Sequence, residues 1–294
     1  MQFAKVRKFS VGSTDNVQLS AYQYEGDSGA LATSVLFSHA NGFHGRCFEP
    51  VVESILTDYE CISFDFRGHG DSIVNPDLPV DWQVYGHDAL AMVKQISRPT
   101  IGVGHSLGGA ALVMAALVAP ELFRALILYE PIIFPSAIRE IASKNNNPSP
   151  LVEGARRRRK TFASRAEAFA NYASKPPMNA FDPRALHAFV DHGFNNDGDQ
   201  VTLKCAPEYE ARNFEMGPVQ ETWDQLKDLN VPTWVVSGTQ QPGQPSGFAA
   251  SIAEQIPNSH FVEWPDLNHF GPMQRPERLA DLVREIDRLT SMNT

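Results

Sequence analysis

The feature that most restricts what this chain can fold into is a single turn, Gly104-His105-Ser106-Leu107-Gly108-Gly109, between the apolar run Thr100–Gly104 and the small-residue run AALVMAALVA. Thr100–Gly104 is short, apolar and rich in β-formers, so it reads as a buried strand. Leu107–Ala119 reads as a helix whose small side chains let it pack closely. The flanking glycines allow a sharp, strained strand-to-helix turn that pushes the serine Oγ out at the sheet's edge. N–H groups at the start of the helix converge on the same point, so the Leu107 N–H can hold a developing oxyanion. The plainer alternative is a Gly-rich turn whose serine only caps the helix. The strand–turn–helix setting favours Ser106 as a nucleophile.

The rest of the chain keeps this rhythm. Val17–Glu25, Val35–His39, Glu60–Phe66 and Ala125–Tyr129 read as strands, and Trp82–Ile96 reads as a helix with Val84, Ala91, Val93 and Ile96 at helical spacing. From Ile132 to Glu221 the chain turns polar and Pro-punctuated, with helical stretches and no clear parallel strand; Asn145–Pro150 (NNNPSP) reads as a loop. Strand and helix then alternate again: Val231–Ser237, Ser246–Ile256, Ser259–Trp264 and Pro276–Leu289. An interruption of about ninety residues is far too long for an ordinary connection. The pattern predicts an α/β fold, a mostly parallel central sheet flanked by helices, with a core over 1–131 and 222–294 and a helical cap over 132–221.

Composition narrows the function. The formal net charge is −9, which argues against a nucleic-acid partner, because phosphate binding needs a basic footprint. No apolar stretch reaches the ~20 residues of a membrane span, and the N-terminal MQFAKVRKFSV lacks the apolar core of a signal peptide. Cys47, Cys61 and Cys205 are isolated, with no metal-ligand spacing, so buried thiols in a reducing compartment, and hence the cytoplasm, are expected. Asp197-Gly198-Asp199 reads as a turn with too few carboxylates for a metal. No cofactor is expected, a small molecule is the expected partner, and a homodimer is left open.

Three further motifs follow strands. His39-Ala40-Asn41-Gly42-Phe43-His44-Gly45 is a small, Gly-containing loop able to lie beneath a carbonyl oxygen and offer it an N–H. In Asp65-Phe66-Arg67-Gly68-His69-Gly70-Asp71-Ser72, Asp65 and Arg67 are expected to pin the loop by charge-assisted hydrogen bonds. Asp266-Leu267-Asn268-His269-Phe270 lies between the last strand and the last helix. There an imidazole can turn a ring nitrogen towards Ser106 Oγ.

Taken in order, HANGF, DFRGHGDS, GHSLGG and a histidine near the C-terminus resemble the α/β-hydrolase superfamily over about 1–131 and 222–294. The resemblance implies that His269 is the base and that Asn41, with Ala40 next in line, supplies the second oxyanion N–H. It also exposes a departure. The family usually carries an Asp in a G-x-x-D pattern after the strand VPTWVVS, where this chain has Gly238-Thr239-Gln240-Gln241. Glutamine cannot stabilise an imidazolium by charge. Glu130, ending the strand after the nucleophile helix, is where certain relatives (some haloalkane dehalogenases, coelenterazine luciferases and a lactone hydrolase) place a Glu, so Glu130 is the expected acid and Asp266 a weaker rival. Phe43 and Phe270 flank the loops and are the expected pocket walls. Arg156–Arg159 read as a solvated face, with the alternative that one or two point inward to clamp a substrate carboxylate or fix the cap by ion pairs. The expectation is a serine hydrolase acting on an ester or lactone of an apolar small molecule. A thioesterase, C–C hydrolase or acyltransferase is an alternative, and a non-hydrolytic ligand sensor is the rival from another class.

Overall fold

The computed structural model describes residues 4–26, 33–144 and 149–292, so 145–148 of the expected NNNPSP loop lie outside it. The chain opens with β1 (Val6–Gly12) and β2 (Gln18–Tyr24), which pair antiparallel. It continues through β3 (Thr33–Ser38), α1 (Glu49–Ile55), β4 (Tyr59–Phe64), α2 (Gln83–Val93), β5 (Thr100–His105), α3 (Leu107–Val118) and β6 (Phe123–Tyr129). The sequence reading had no place for β1. That strand lies at the sheet edge with most residues exposed or half-buried, so it lacks the alternation that marks a half-buried strand. It also had no place for α1, whose Pro-Val-Val start does not resemble a helix by propensity.

After β6 the chain leaves the sheet for α4 (Ser136–Lys144), α5 (Pro150–Arg156), β7 (Thr161–Phe162), α6 (Arg165–Ala173), α7 (Pro183–His192), β8 (Phe194–Asp197), β9 (Gln200–Leu203) and α8 (Pro207–Met216). The three strands form a small antiparallel sheet in the order β7-β9-β8, a feature the helical reading of this segment did not include. Asp197-Gly198-Asp199 spans the β8–β9 turn, where Gly198 takes a positive φ of 59°. The chain re-enters the main sheet at β10 (Thr233–Ser237), followed by α9 (Ala249–Gln255), β11 (Ser259–Glu263), a short α10 (Gly271–Gln274) and α11 (Pro276–Ser291).

The main sheet has eight strands in the order β1-β2-β4-β3-β5-β6-β10-β11. From β4 to β11 all neighbours are parallel. Both faces of β3, β4, β5, β6 and β10 are covered, which is why these strands are largely apolar, while the edge strand β11 is exposed or half-buried. Val35, Phe37, Val103 and Ile127 point into one layer with Val51 and Ile55 of α1 and Val283 and Ile286 of α11. Leu36, Phe64, Leu126 and Leu128 point into the other with Tyr85 and Met92 of α2, Leu112 of α3 and Ile252 of α9. Each such side chain contributes about 1.5–3 kcal/mol of burial, so the strand ends at the site rest on a rigid base. Among the described residues no helix is long and apolar enough to cross a membrane.

Candidate active site

The site gathers at the C-terminal ends of β5, β6 and β10. At the end of β5, Ser106 has a positive φ of 57°, and Glu130 at the end of β6 has one of 42°. For residues with a Cβ such backbones cost about 1–3 kcal/mol and persist only where the surroundings impose them. Here the two strained residues are stitched together: Ser106 N–H donates to Tyr129 O at 3.0 Å, and Ile132 N–H donates to Ser106 O at 3.2 Å. Gly104 and Gly108 do not take positive φ. They supply space. A Cβ on Gly104 would sit 2.6 Å from Gly109 Cα, and one on Gly108 would sit 2.1 Å from the Ser38 carbonyl oxygen. The helix therefore starts hard against the end of β3, and the strain falls on the serine itself.

Glu130 is 1% exposed. One oxygen, Oε1, accepts the Gly238 N–H at 2.8 Å, and the other, Oε2, lies 2.6 Å from His269 Nδ1. A buried carboxylate between two donors holds the imidazole proton on Nδ1 and leaves Nε2 free to accept. The loop carrying His269 is fixed from the ends of three strands. His105 Nε2, next to the serine, bonds the His269 carbonyl at 2.7 Å. Tyr129 OH donates to Asn268 O at 2.7 Å, and Thr239 N–H donates to Leu267 O at 2.8 Å. Burial pushes the His105 imidazole well below its ordinary range, so it works as a neutral N–H donor. Among the described residues Ser106 Oγ and His269 Nε2 share no hydrogen bond; such contacts commonly tighten only with substrate in place.

Leu107 is the first residue of α3, so its N–H has no partner within the helix. Asn41 lies in a tight turn closed by Phe43 N–H to Ala40 O at 3.1 Å. Among the described residues neither the Asn41 nor the Leu107 N–H donates to a protein acceptor. Phe43 and Phe270 stand 5.8 Å apart by ring centroids. Two rings of the inserted segment join them: Phe181 lies 6.2 Å from Phe43 and 5.5 Å from Phe270, and Phe189 lies 5.2 Å from Phe43. Phe43 also packs edge-on to His105 at 6.3 Å, so the aromatic group adjoins the serine turn.

The rivals lie elsewhere. Asp266 is 61% exposed and pairs with Arg278 at 2.7 Å. Gln241 is exposed, and its backbone N–H donates to Ser246 Oγ at 3.1 Å. Asp65 accepts from Tyr22 OH, Gly45 N–H and Asp71 N–H, while Arg67 is held by Asp88 and Asp15. Both are loop pins. Of the arginine run, Arg156, Arg157 and Arg159 pair with carboxylates at the surface. Arg158 turns inward, 18% exposed, onto Glu210 at 2.7 Å. The three cysteines are free and buried. Among the described residues no group of three or more His, Cys, Asp or Glu side chains is arranged to hold a metal ion. Sequence reasoning missed the Gly238 N–H on Glu130 and the His105 hold on the His269 loop; the first leaves no mark in side-chain identity.

A model described as the alpha/beta hydrolase family matches residues 35–282. A 2-(acetamidomethylene)succinate hydrolase of Mesorhizobium japonicum is 30% identical over 248 residues, covering 83% of this chain and 84% of that protein. A type I acyl-CoA thioesterase, mpaH, of Penicillium brevicompactum is 24% identical over 264 residues, 84% of this chain and 58% of the relative. Among solved structures, the peroxisomal alpha-beta-hydrolase Lpx1 of Saccharomyces cerevisiae superposes with a TM-score of 0.80 at 17% identity, covering 99% of this chain and 90% of that one.

Proposed function

The chain belongs to the alpha/beta hydrolase family, and on that premise we propose that it is a serine hydrolase cleaving an ester or lactone of an apolar small molecule through Ser106, His269 and Glu130. His269 Nε2 takes the proton from Ser106 Oγ as that oxygen attacks the carbonyl carbon. Glu130 fixes the imidazole tautomer and offsets the positive charge it acquires. The Asn41 and Leu107 N–H groups receive the oxyanion, where a single such donor is worth about 2.7–4 kcal/mol. The tetrahedral intermediate collapses as His269 returns the proton to the leaving oxygen. A water activated by the same imidazole then releases the acyl group.

The observation that carries this reading is the buried Glu130 carboxylate, 2.6 Å from His269 Nδ1 with its second oxygen on the Gly238 N–H. The Phe43, Phe181, Phe189 and Phe270 rings favour an apolar substrate. On this reading the segment over 132–221 serves as a cap, since it supplies Phe181 and Phe189. A thioester is the second substrate class to test, given the thioesterase among the relatives. The test is intact-mass labelling by a fluorophosphonate followed by an ester, lactone and thioester panel. One adduct on the wild type and none on Ser106→Ala supports the proposal. A folded wild type that neither a large nor a small phosphonate labels overturns it in favour of a ligand sensor.

A further inference from the structure

Resting on that reading, we infer that Asn213, on α8 of the inserted segment, is a positioning residue for oxyanion stabilisation: it fixes the side chain of Asn41 and through it the Asn41 N–H. The segment over the site would then be part of the catalytic apparatus as well as its cover.

The hydrogen-bond directions are determined by chemistry. Asn41 Nδ2 lies 2.9 Å from the Glu210 carbonyl oxygen, which can only accept, so this end of the amide is the donor. Asn41 Oδ1 therefore faces Asn213 Nδ2 and His69 Nε2, each at 3.1 Å. His69 Nδ1 also faces an acceptor, the Arg67 carbonyl at 3.0 Å. Burial lowers the His69 pKa to about 4, so the ring is neutral and owns one N–H for two acceptors. Asn213 is the donor that Asn41 can rely on in every tautomer.

Asn213 is in turn held by the core. It is 0% exposed. Its Oδ1 accepts from Tyr85 OH at 2.5 Å, and its backbone oxygen accepts from Trp82 Nε1 at 3.0 Å. A second contact comes from the same helix. The Glu210 carboxylate, clamped by Arg158, lies where a Cβ on Gly42 would sit, 2.3 Å away, and Gly42 has a φ of +76°. The turn Ala40–Phe43 is thus held by α8 at two adjoining residues, Asn41 and Gly42, with His69 also facing Asn41. Buried polar networks of this kind hold one geometry when every member is satisfied. A donor displaced by about 1 Å can cost 10²-fold in rate.

The experiment compares wild type, Ser106→Ala, Asn213→Ala, Asn213→Asp and Tyr85→Phe in steady-state turnover of one chromogenic ester. Asn213→Ala is expected to lower kcat about 10- to 100-fold with KM within about threefold, because the ground-state carbonyl needs the N–H less than the oxyanion does. Tyr85→Phe, which only loosens Asn213, lowers kcat less and in the same direction. In Asn213→Asp a protonated carboxyl can still donate to Asn41, so its kcat relative to wild type falls as pH rises; a role in folding alone would not give that dependence. An unchanged kcat, or a loss confined to KM, overturns the inference. If Asn213→Ala does not fold, Tyr85→Phe and the pH profile of Asn213→Asp decide. Turnover that survives Ser106→Ala would instead overturn the serine-hydrolase reading itself.

Discussion

Replacing Glu130 by glutamine tests the acid with almost no change of shape. The carboxylate now receives two donors, Gly238 N–H at 2.8 Å and the His269 Nδ1 side at 2.6 Å. A glutamine oxygen can receive one of them, leaving its NH₂ facing the other. The imidazole is then driven to the tautomer with the proton on Nε2, and a base that must first lose that proton cannot take one from Ser106. The electrostatic part can be sized separately. With charge centres about 4 Å apart and an effective dielectric of about 20, the carboxylate stabilises the imidazolium of the transition state by about 4 kcal/mol. That is about 10³-fold in rate. An orienting carboxylate replaced by its amide in a Ser-His-Asp enzyme costs about 10⁴, so a loss of about 10³ to 10⁴ in kcat is expected with KM little changed. Initial rates on a short-chain p-nitrophenyl ester give both constants, and a thermal melt checks that the variant is folded. A folded Glu130→Gln within tenfold of wild-type kcat, beside an inert Ser106→Ala, would refute the assignment of Glu130.

Two further predictions concern stability. Burial lowers His44 to about 3 and His69 to about 4 and pushes His39 and His105 well below their ordinary value; below about pH 6.5 the unfolded chain therefore binds more protons than the folded one. Stability should fall as pH drops from about 6.5 towards 4, by about 1.4 kcal/mol per pH unit for each such histidine, and a urea midpoint equal at pH 7 and pH 5 would contradict this. Arg158→Met leaves Glu210, 10% exposed, without its cation, and should cost about 2–4 kcal/mol. Adding Glu210→Gln should restore at least half of that loss, and a double-mutant cycle by urea denaturation reads the coupling.

What the sequence made legible follows from what each residue has to do alone. The inner parallel strands are buried on both faces, so apolar runs such as VLF and LILY announce them without their partners. The serine turn is legible because Gly104 and Gly108 touch neighbouring backbone and no other residue fits there. His269 stands out because the loop after the last strand lies at the same sheet edge as that turn. The misses are of two kinds. β1 and β8 are largely exposed, so burial left little periodic pattern in them, and β9 alternates over only four residues. The grip of Asn213 on Asn41 joins side chains far apart in the sequence, and an asparagine on a polar helix carries no sign of where its amide will point.

Under the proposed assignment, Glu130 takes the part of the carboxylate that the family usually carries after β10. β6 lies between β5 and β10, so Glu130 ends the strand adjoining both the serine turn and the loop where the family usually keeps its carboxylate. The ends of β6 and β10 lie about one strand spacing of 4.8 Å apart. Its left-handed φ of 42° marks the end of the strand, just where the extended ladder stops. The loop after β10 carries no carboxylate over Gly238–Gln241 and reaches Glu130 through its backbone, since the Gly238 N–H donates to one of its oxygens and so orients the other. The geometry places an anion fixed at two points and facing Nδ1. This is why the absence of an aspartate after β10 does not argue for a broken triad.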